Sequence, residues 1–199
     1  RDVEDVAGGG GGRHVAPCVG GLAAGPCAWA RVHRGGRGAA LARAEDAELQ
    51  KYQAAEKLAN EHLATFDTLD FDVFTNQKWD RLKESHGKDI KVHWPDGHFT
   101  TGIDKHIDDL KAMFVYAPDT RIQEHPIKVA NGEWTSVVGV MEGTFTKPMP
   151  IGDGKEIAPT GKAFKLRMAT VGHWKDCIMD EEYLFWDNQS FMKQIGLAK

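Results

Sequence analysis

Two ionisable side chains stand where acid/base chemistry could be carried out. His93 ends a short alternating run, Lys88–Trp94, just before the turn residues Pro95–Asp96–Gly97. A histidine there can take a proton, give one, or hydrogen-bond a ligand; the alternative is an exposed loop residue. Glu182 lies on the last long strand, beside Trp186. Burial would raise its pKa and make it a base; the alternative is a solvated position at an open rim. His93 and Glu182 are therefore the expected catalytic pair. His98 repeats the case for His93 more weakly and is expected to touch a ligand. His93, Asp96 and His98 could be read as metal ligands, but they share one tight turn and lack a second cluster. No metal and no cofactor are expected. His106 and His125 carry no motif and read as surface or packing residues. Asp187 reads as the N-cap of a short terminal helix. Asp153–Gly154–Lys155 lacks the frame of a phosphate loop.

The elements that must place these groups follow from periodicity. Tyr52, Ala55, Ala59, Leu63 and Phe66 recur every three or four residues and predict a helix over about 46–66. A second helical piece is expected over about 71–84, with Thr75 as its cap and Phe74, Trp79 and Leu82 in the core. A third follows Gly102, with Ile103, Ile107, Leu110, Met113 and Phe114 as its apolar stripe and Pro118 at its end. From Thr120 the period is two. Strands are expected over 121–130 and 133–145, joined at Asn131–Gly132, with Pro126 marking an edge or a bulge. After a Pro/Gly-rich loop, 147–159, come a long strand, a tight turn at Lys175–Ile178, a second strand to Trp186 and the terminal helix. The order predicts an α+β fold: a curved antiparallel sheet with helices on its concave face, enclosing a cone-shaped pocket.

Composition separates residues 1–45 from the rest. They hold 11 of the 22 glycines and six arginines but no lysine. Such a segment, poor in large apolar groups, is expected to be a disordered tail, either natural or artefactual, with organelle targeting as a further alternative. Residues 46–199 are expected to form one domain with a sizeable core. The net charge of −4 gives no sign of a nucleic-acid surface, and no apolar run is long enough to span a membrane. The three cysteines form no disulfide framework and suit a reducing, cytoplasmic compartment.

Several motifs stand in a telling order: His93–Trp94–Pro95–Asp96–Gly97, Thr101–Gly102 before a helix, Pro118–Asp119 after it, Asn131–Gly132, Pro159–Thr160–Gly161–Lys162, then Trp186–Asp187 before Gln194–Ile195–Gly196. Over about residues 48–197 this order resembles the SnoaL-like polyketide cyclase (ester cyclase) group of the NTF2-like superfamily. The resemblance implies the cone fold, a small apolar organic ligand, a homodimer through the outer sheet face, and either cyclase, isomerase or hydrolase chemistry or non-catalytic binding. In the cyclases that name the group, an Asp on the last strand is the acid/base, beside a His on the preceding strand. Aligned through the terminal Asp and the Gln-x-Gly of the helix, these positions fall on Leu184 and Thr170. Neither titrates near neutrality, so the namesake mechanism is expected to be absent. The same pairing places Leu166, Met168, Thr170 and Gly172 on one pocket face with Glu182, Leu184 and Trp186. Leu166, Met168, Thr170, Leu184, Trp94 and Trp186 are the expected ligand-lining residues, the two tryptophans also being candidates for core. Val171, Tyr183 and Phe185 point outward, toward the expected dimer partner.

Overall fold

The computed structural model describes residues 34–199, and its side chains from Gly38 onward. Residues 1–33, most of the expected disordered tail, lie outside the described residues. The first helix, α1 (Arg34–Thr68), begins twelve residues before the expected start. Residues 38–57 are all exposed, so Tyr52 and Ala55 do not belong to its buried stripe. The stripe that is buried runs through Ala59, His62, Phe66 and Leu69.

The end of α1 widens into a single π-helical stretch, Leu69–Phe74. The Thr75 N–H donates to the carbonyl of Asp70, five residues back, and Lys78 does the same to Val73. This one-residue shift in phase turns Leu69, Asp70, Val73 and Phe74 inward together. Thr75 closes this stretch instead of starting a helix: its hydroxyl donates to the Asp70 carbonyl at 2.8 Å, lies 3.0 Å from the Ile122 carbonyl and accepts from the Ile122 N–H. The second expected helical piece shrinks to a short 3₁₀ turn, Trp79–Glu84.

The sheet contains β1 (His86–His93), β2 (Phe99–Thr101), β3 (Arg121–Ile122), β4 (Ile127–Asn131), β5 (Trp134–Thr144), β8 (Ala163–Lys175) and β9 (Ile178–Phe185). The loop between β5 and β8 forms a separate two-stranded ribbon of β6 (Met149–Pro150) and β7 (Glu156–Ile157). The order in the main sheet is β2-β1-β9-β8-β5-β3, with β4 also on β5. All pairs are antiparallel except β1 with β9. The strand expected over 121–130 is broken between β3 and β4 at the segment containing Pro126, where both pieces sit against one partner. Helices α2 (Ile103–Tyr116) and α3 (Asn188–Gln194) complete the α+β architecture.

The β8–β9 hairpin fixes the faces. Thr170 pairs with Leu184 and Gly172 with Glu182. Phe164, Leu166, Met168, Thr170 and Trp174 are buried on the inner face, while Val171, His173 and Tyr183 are only half-buried on the other. A bulge between His173 and Trp174 inserts one extra residue in β9, so Met179 and Glu182 both face inward three positions apart. Two apolar clusters fill the concavity. One centres on Phe66, Leu82, Ile90, Val137 and Trp174, the other on Phe74, Phe114, Ile122, Met141 and Phe164. Asp187 caps α3 as expected, accepting from the Ser190 N–H at 3.0 Å.

Candidate functional site

A narrow cavity of about 40 Å³ draws its walls from both apolar clusters. Its lining includes Met168, Thr170, Glu182 and Leu184 from the sheet, Asp70 from the π-helical stretch, His86 at the start of β1, and His106 from α2. Of the lining residues, Trp94, Leu110, Met113 and Trp186 are half-exposed and form the rim. The two indoles meet edge to face, their ring centres 6.3 Å apart. The free volume is well below the roughly 300 Å³ at the low end for drug-sized ligands, so a molecule larger than a few heavy atoms enters only as these rim side chains part.

The polar groups concentrate deep inside. Glu182 is 4% exposed, His86 3% and His106 2%. Glu182 Oε2 lies 3.4 Å from His106 Nε2 and 3.8 Å from His86 Nε2, and it has no hydrogen-bond partner. His86 Nε2 and His106 Nδ1 also lack partners. The two imidazoles stack with ring centres 5.2 Å apart. Burial pushes His106 down to about 4, against the pull of Glu182, so it is unprotonated at neutral pH. Burial alone would raise Glu182, but the neighbouring His86 and His106 imidazoles bring it below the usual range.

Asp70 reaches the same cavity from the helical layer. Its Oδ2 is 2.8 Å from His125 Nε2, and His125 Nδ1 is 2.8 Å from Asp67 Oδ1. Asp67 in turn accepts from Lys128 at 2.6 Å. Burial raises the Asp70 carboxyl despite the imidazole beside it. Burial opposes a charge on His125, but the hydrogen bonds and charges of Asp70 and Asp67 outweigh it and raise the ring's pKa. The cavity thus holds two carboxylates pushed in opposite directions.

His93 is not in this cavity. Val92 pairs with Glu182 and faces inward; His93 pairs with Tyr183 and faces the other way. Its ring stacks on Tyr183 at 4.2 Å and its Nε2 lies 2.7 Å from Glu181 Oε1. The expected His93–Glu182 pair is therefore split across the sheet, because adjacent strand positions alternate faces. His98 is exposed at the β1–β2 turn, hydrogen-bonded to Asp96, and does not line the cavity either. Nor does the turn gather a metal site, since His93 is engaged by Glu181 and His98 by Asp96. Leu166 is buried in the second core cluster and does not line the cavity. Trp94, Met168, Thr170, Leu184 and Trp186 line it together with Glu182.

Sequence reasoning missed Asp70, His86 and His106, and it placed His125 without seeing its carboxylates. For His106 a signal existed: it follows Ile103 by three and precedes Leu110 by four, in phase with the apolar stripe of α2. Asp70 follows Phe66 by four, in phase with the buried stripe of α1, but its neighbours Asp67 and Asp72 masked it as part of a solvated acidic run. His86 gave none, because an irregularity in β1 between His86 and Lys91 breaks the alternation.

Residues 66–195 match a family model described as SnoaL-like polyketide cyclase. Among solved structures, the chain is similar to a candidate SnoaL-like polyketide cyclase from Jannaschia sp. CCS1, at 17% identity over 71% of this chain and 96% of that one, with a TM-score of 0.62. It is also similar to IdmH, a candidate polyketide cyclase from Streptomyces antibioticus, at 19% identity over 68% and 98% and a TM-score of 0.58. A hypothetical protein from Catenulispora acidiphila with a ketosteroid isomerase-like fold, in complex with trimethylamine, aligns at 14% identity over 63% and 88% with a TM-score of 0.52. No curated protein matches. At these identities the structural neighbours establish the fold.

Proposed function

This chain belongs to the SnoaL-like polyketide cyclase family, and we propose that it binds a small, largely apolar carbonyl compound and moves a proton at the carbon next to the carbonyl. The observation that carries this reading is the convergence of Asp70, Glu182, His86 and His106 in one otherwise apolar cavity. Removing a carbon-bound proton needs a base whose pKa approaches that of the operating pH, and a partner for the oxygen on which charge develops. Asp70 meets the first need: it is buried, raised, and held in one orientation by His125. The second falls to the groups around Glu182, where His106 Nδ1 stands buried without a partner. Glu182 thus serves the site by its charge beside the imidazoles, and Asp70 takes the role of base that sequence reasoning gave to Glu182. Thr170 and Leu184 occupy the two positions of the namesake acid/base pair and contribute shape only. The rim tryptophans supply the apolar walls.

A ligand-detected NMR screen of small cyclic and β-dicarbonyl ketones against the full chain tests this reading. Binders are expected to quench rim tryptophan fluorescence, and Asp70→Asn is expected to keep binding while losing turnover. Ketone binding that survives a bulky substitution at Thr170 would show that the ligand sits elsewhere. A second reading, a non-catalytic binding module, is favoured by the apolar Leu184 and by Thr170 at those two positions; ketone binding by the parent chain with no turnover of any bound ketone would leave it standing.

A further inference from the structure

We propose that His86, His106 and Glu182 form a binding site for one divalent first-row transition ion, zinc or a close relative, on the inner wall of the cavity. One donor atom from each of the three lies within 4.8 Å of the others. Four-coordinate sites with bonds of about 2.0–2.1 Å have ligand–ligand edges of about 3.3 Å. The Glu182–His106 and Glu182–His86 edges, 3.4 and 3.8 Å, are within a small side-chain rotation of that.

The hydrogen-bond pattern around His86 says what is missing between these groups. The Ser85 hydroxyl donates to the Leu82 carbonyl at 3.1 Å, which uses its only proton. With that bond made, it accepts from His86 Nδ1–H at 2.8 Å, the tautomer that leaves Nε2 free to ligate. In the neutral ring, Nε2 is left as a bare lone pair, aimed at a carboxylate oxygen that also has no donor. Two buried acceptors facing each other without a positive group between them are costly. A divalent ion satisfies both, and His106 Nε2 with them. The Ser85 bond is the kind of outer contact that fixes the tautomer of a ligating histidine.

The donor set also indicates the class of ion. Two imidazoles and one carboxylate suit zinc, cobalt, nickel or iron(II) better than calcium or magnesium, which prefer all-oxygen shells. Three protein ligands leave a fourth position, and all three side chains line the cavity, so that position opens toward the ligand space. The exposed His98–Asp96 and half-buried His93–Glu181 pairs each bring one imidazole only. The assignment goes beyond the proposed proton transfer and does not depend on Asp70 being a base.

The full chain, stripped with a chelator and titrated with Co²⁺, tests it. One equivalent is expected to bind with intense visible d–d bands, and Zn²⁺ is expected to displace it one for one. Glu182→Gln and His106→Gln are expected to abolish those bands. Ser85→Ala, which leaves all three ligands in place, is expected to weaken binding by about tenfold. His98→Ala is expected to bind as tightly as the parent chain. The wild-type spectrum and the Ser85→Ala shift stand even if a ligand variant does not fold. Absence of the bands in the parent chain, or bands that persist in folded Glu182→Gln, would overturn the site. Loss of metal binding alongside Asp70-dependent turnover would remove the ion and keep the proposed function; bound metal with unchanged turnover in Asp70→Asn would do the reverse.

Discussion

Replacing His125 by leucine removes the contact that holds the cavity carboxylate in place. The His125 side chain is 1% exposed and makes two bonds of 2.8 Å, to Asp70 and Asp67. Leucine is similar in bulk, so Phe66 and Phe71, which pack on the ring, keep an apolar neighbour. What is lost is both charge-assisted hydrogen bonds, and what remains is Asp70, 7% exposed, without its partner. Stranding one member of a buried charged pair costs about 3–5 kcal/mol. For a chain of this size that corresponds to a fall in Tm of roughly 10 °C. The pH dependence has a definite sign. The pKa of His125 is raised in the folded state, so its stabilisation is complete below its ordinary value and is lost as pH rises through the raised one. The stability gap between parent and His125→Leu should therefore be widest near pH 6 and shrink in alkali. Urea unfolding of both proteins across this range measures it, with unchanged m-values confirming that the transition is the same. A gap below about 1 kcal/mol near pH 6, or one that widens in alkali, would refute the reasoning about the pair.

Further expectations follow from the backbone and the sheet. Asp176 and Cys177 hold φ of 51° and 63° in the β8–β9 turn; Cys177→Gly should stabilise the chain by about 0.5–1 kcal/mol, seen as a higher urea midpoint, whereas an unchanged midpoint would mean the turn carries no strain. A Cβ on Gly143 would meet Phe164 Cζ at 2.9 Å and Thr120 Oγ1 at 3.0 Å, so Gly143→Ala should destabilise by about 1–3 kcal/mol in the same assay. Asp187→Ala should speed amide exchange in the first turn of α3 while Asp187→Asn does not, because either side-chain oxygen can accept from Ser190. Phe185 is 53% exposed on the outer face of the sheet; we propose that this face pairs two copies, and sedimentation at micromolar concentration should show a dimer that Phe185→Glu converts to monomer.

The features legible in the sequence were those set by local period and turn chemistry. The final hairpin illustrates this: thirteen alternating residues in β8 and the reversal at Asp176–Cys177 fix Thr170 opposite Leu184, and hence which side chains face the cavity. The cone fold followed from the same alternation and from the order of the helices. The polar set of the cavity was not legible, because its members come from elements whose local signals conflict. Asp70 is in phase with Phe66, but Asp67 and Asp72 beside it read as a solvated acidic run, and nothing in Leu69–Phe74 announces the π-helical stretch that turns it inward together with Leu69, Val73 and Phe74. His86 precedes an irregularity in β1 that breaks alternation. His93 looked favourable because it sits at the end of a strand near a turn, but in β1 the alternation that buries Ile90 and Val92 turns His93 outward. The partners of Glu182 were therefore a matter of tertiary packing between α2 and the sheet, which strand-by-strand reading does not reach.

The central claim, proton transfer at carbon by Asp70 in the cavity, can be measured without knowing the natural substrate. The full chain is incubated in D₂O with a panel of small apolar ketones, and loss of the α-proton signal is followed by NMR. The account predicts exchange above buffer for at least one cyclic ketone, lowered about 10²–10⁴-fold in Asp70→Asn, and unaffected by His93→Ala. Exchange no faster than buffer across the panel, or exchange that survives intact in Asp70→Asn, would contradict it.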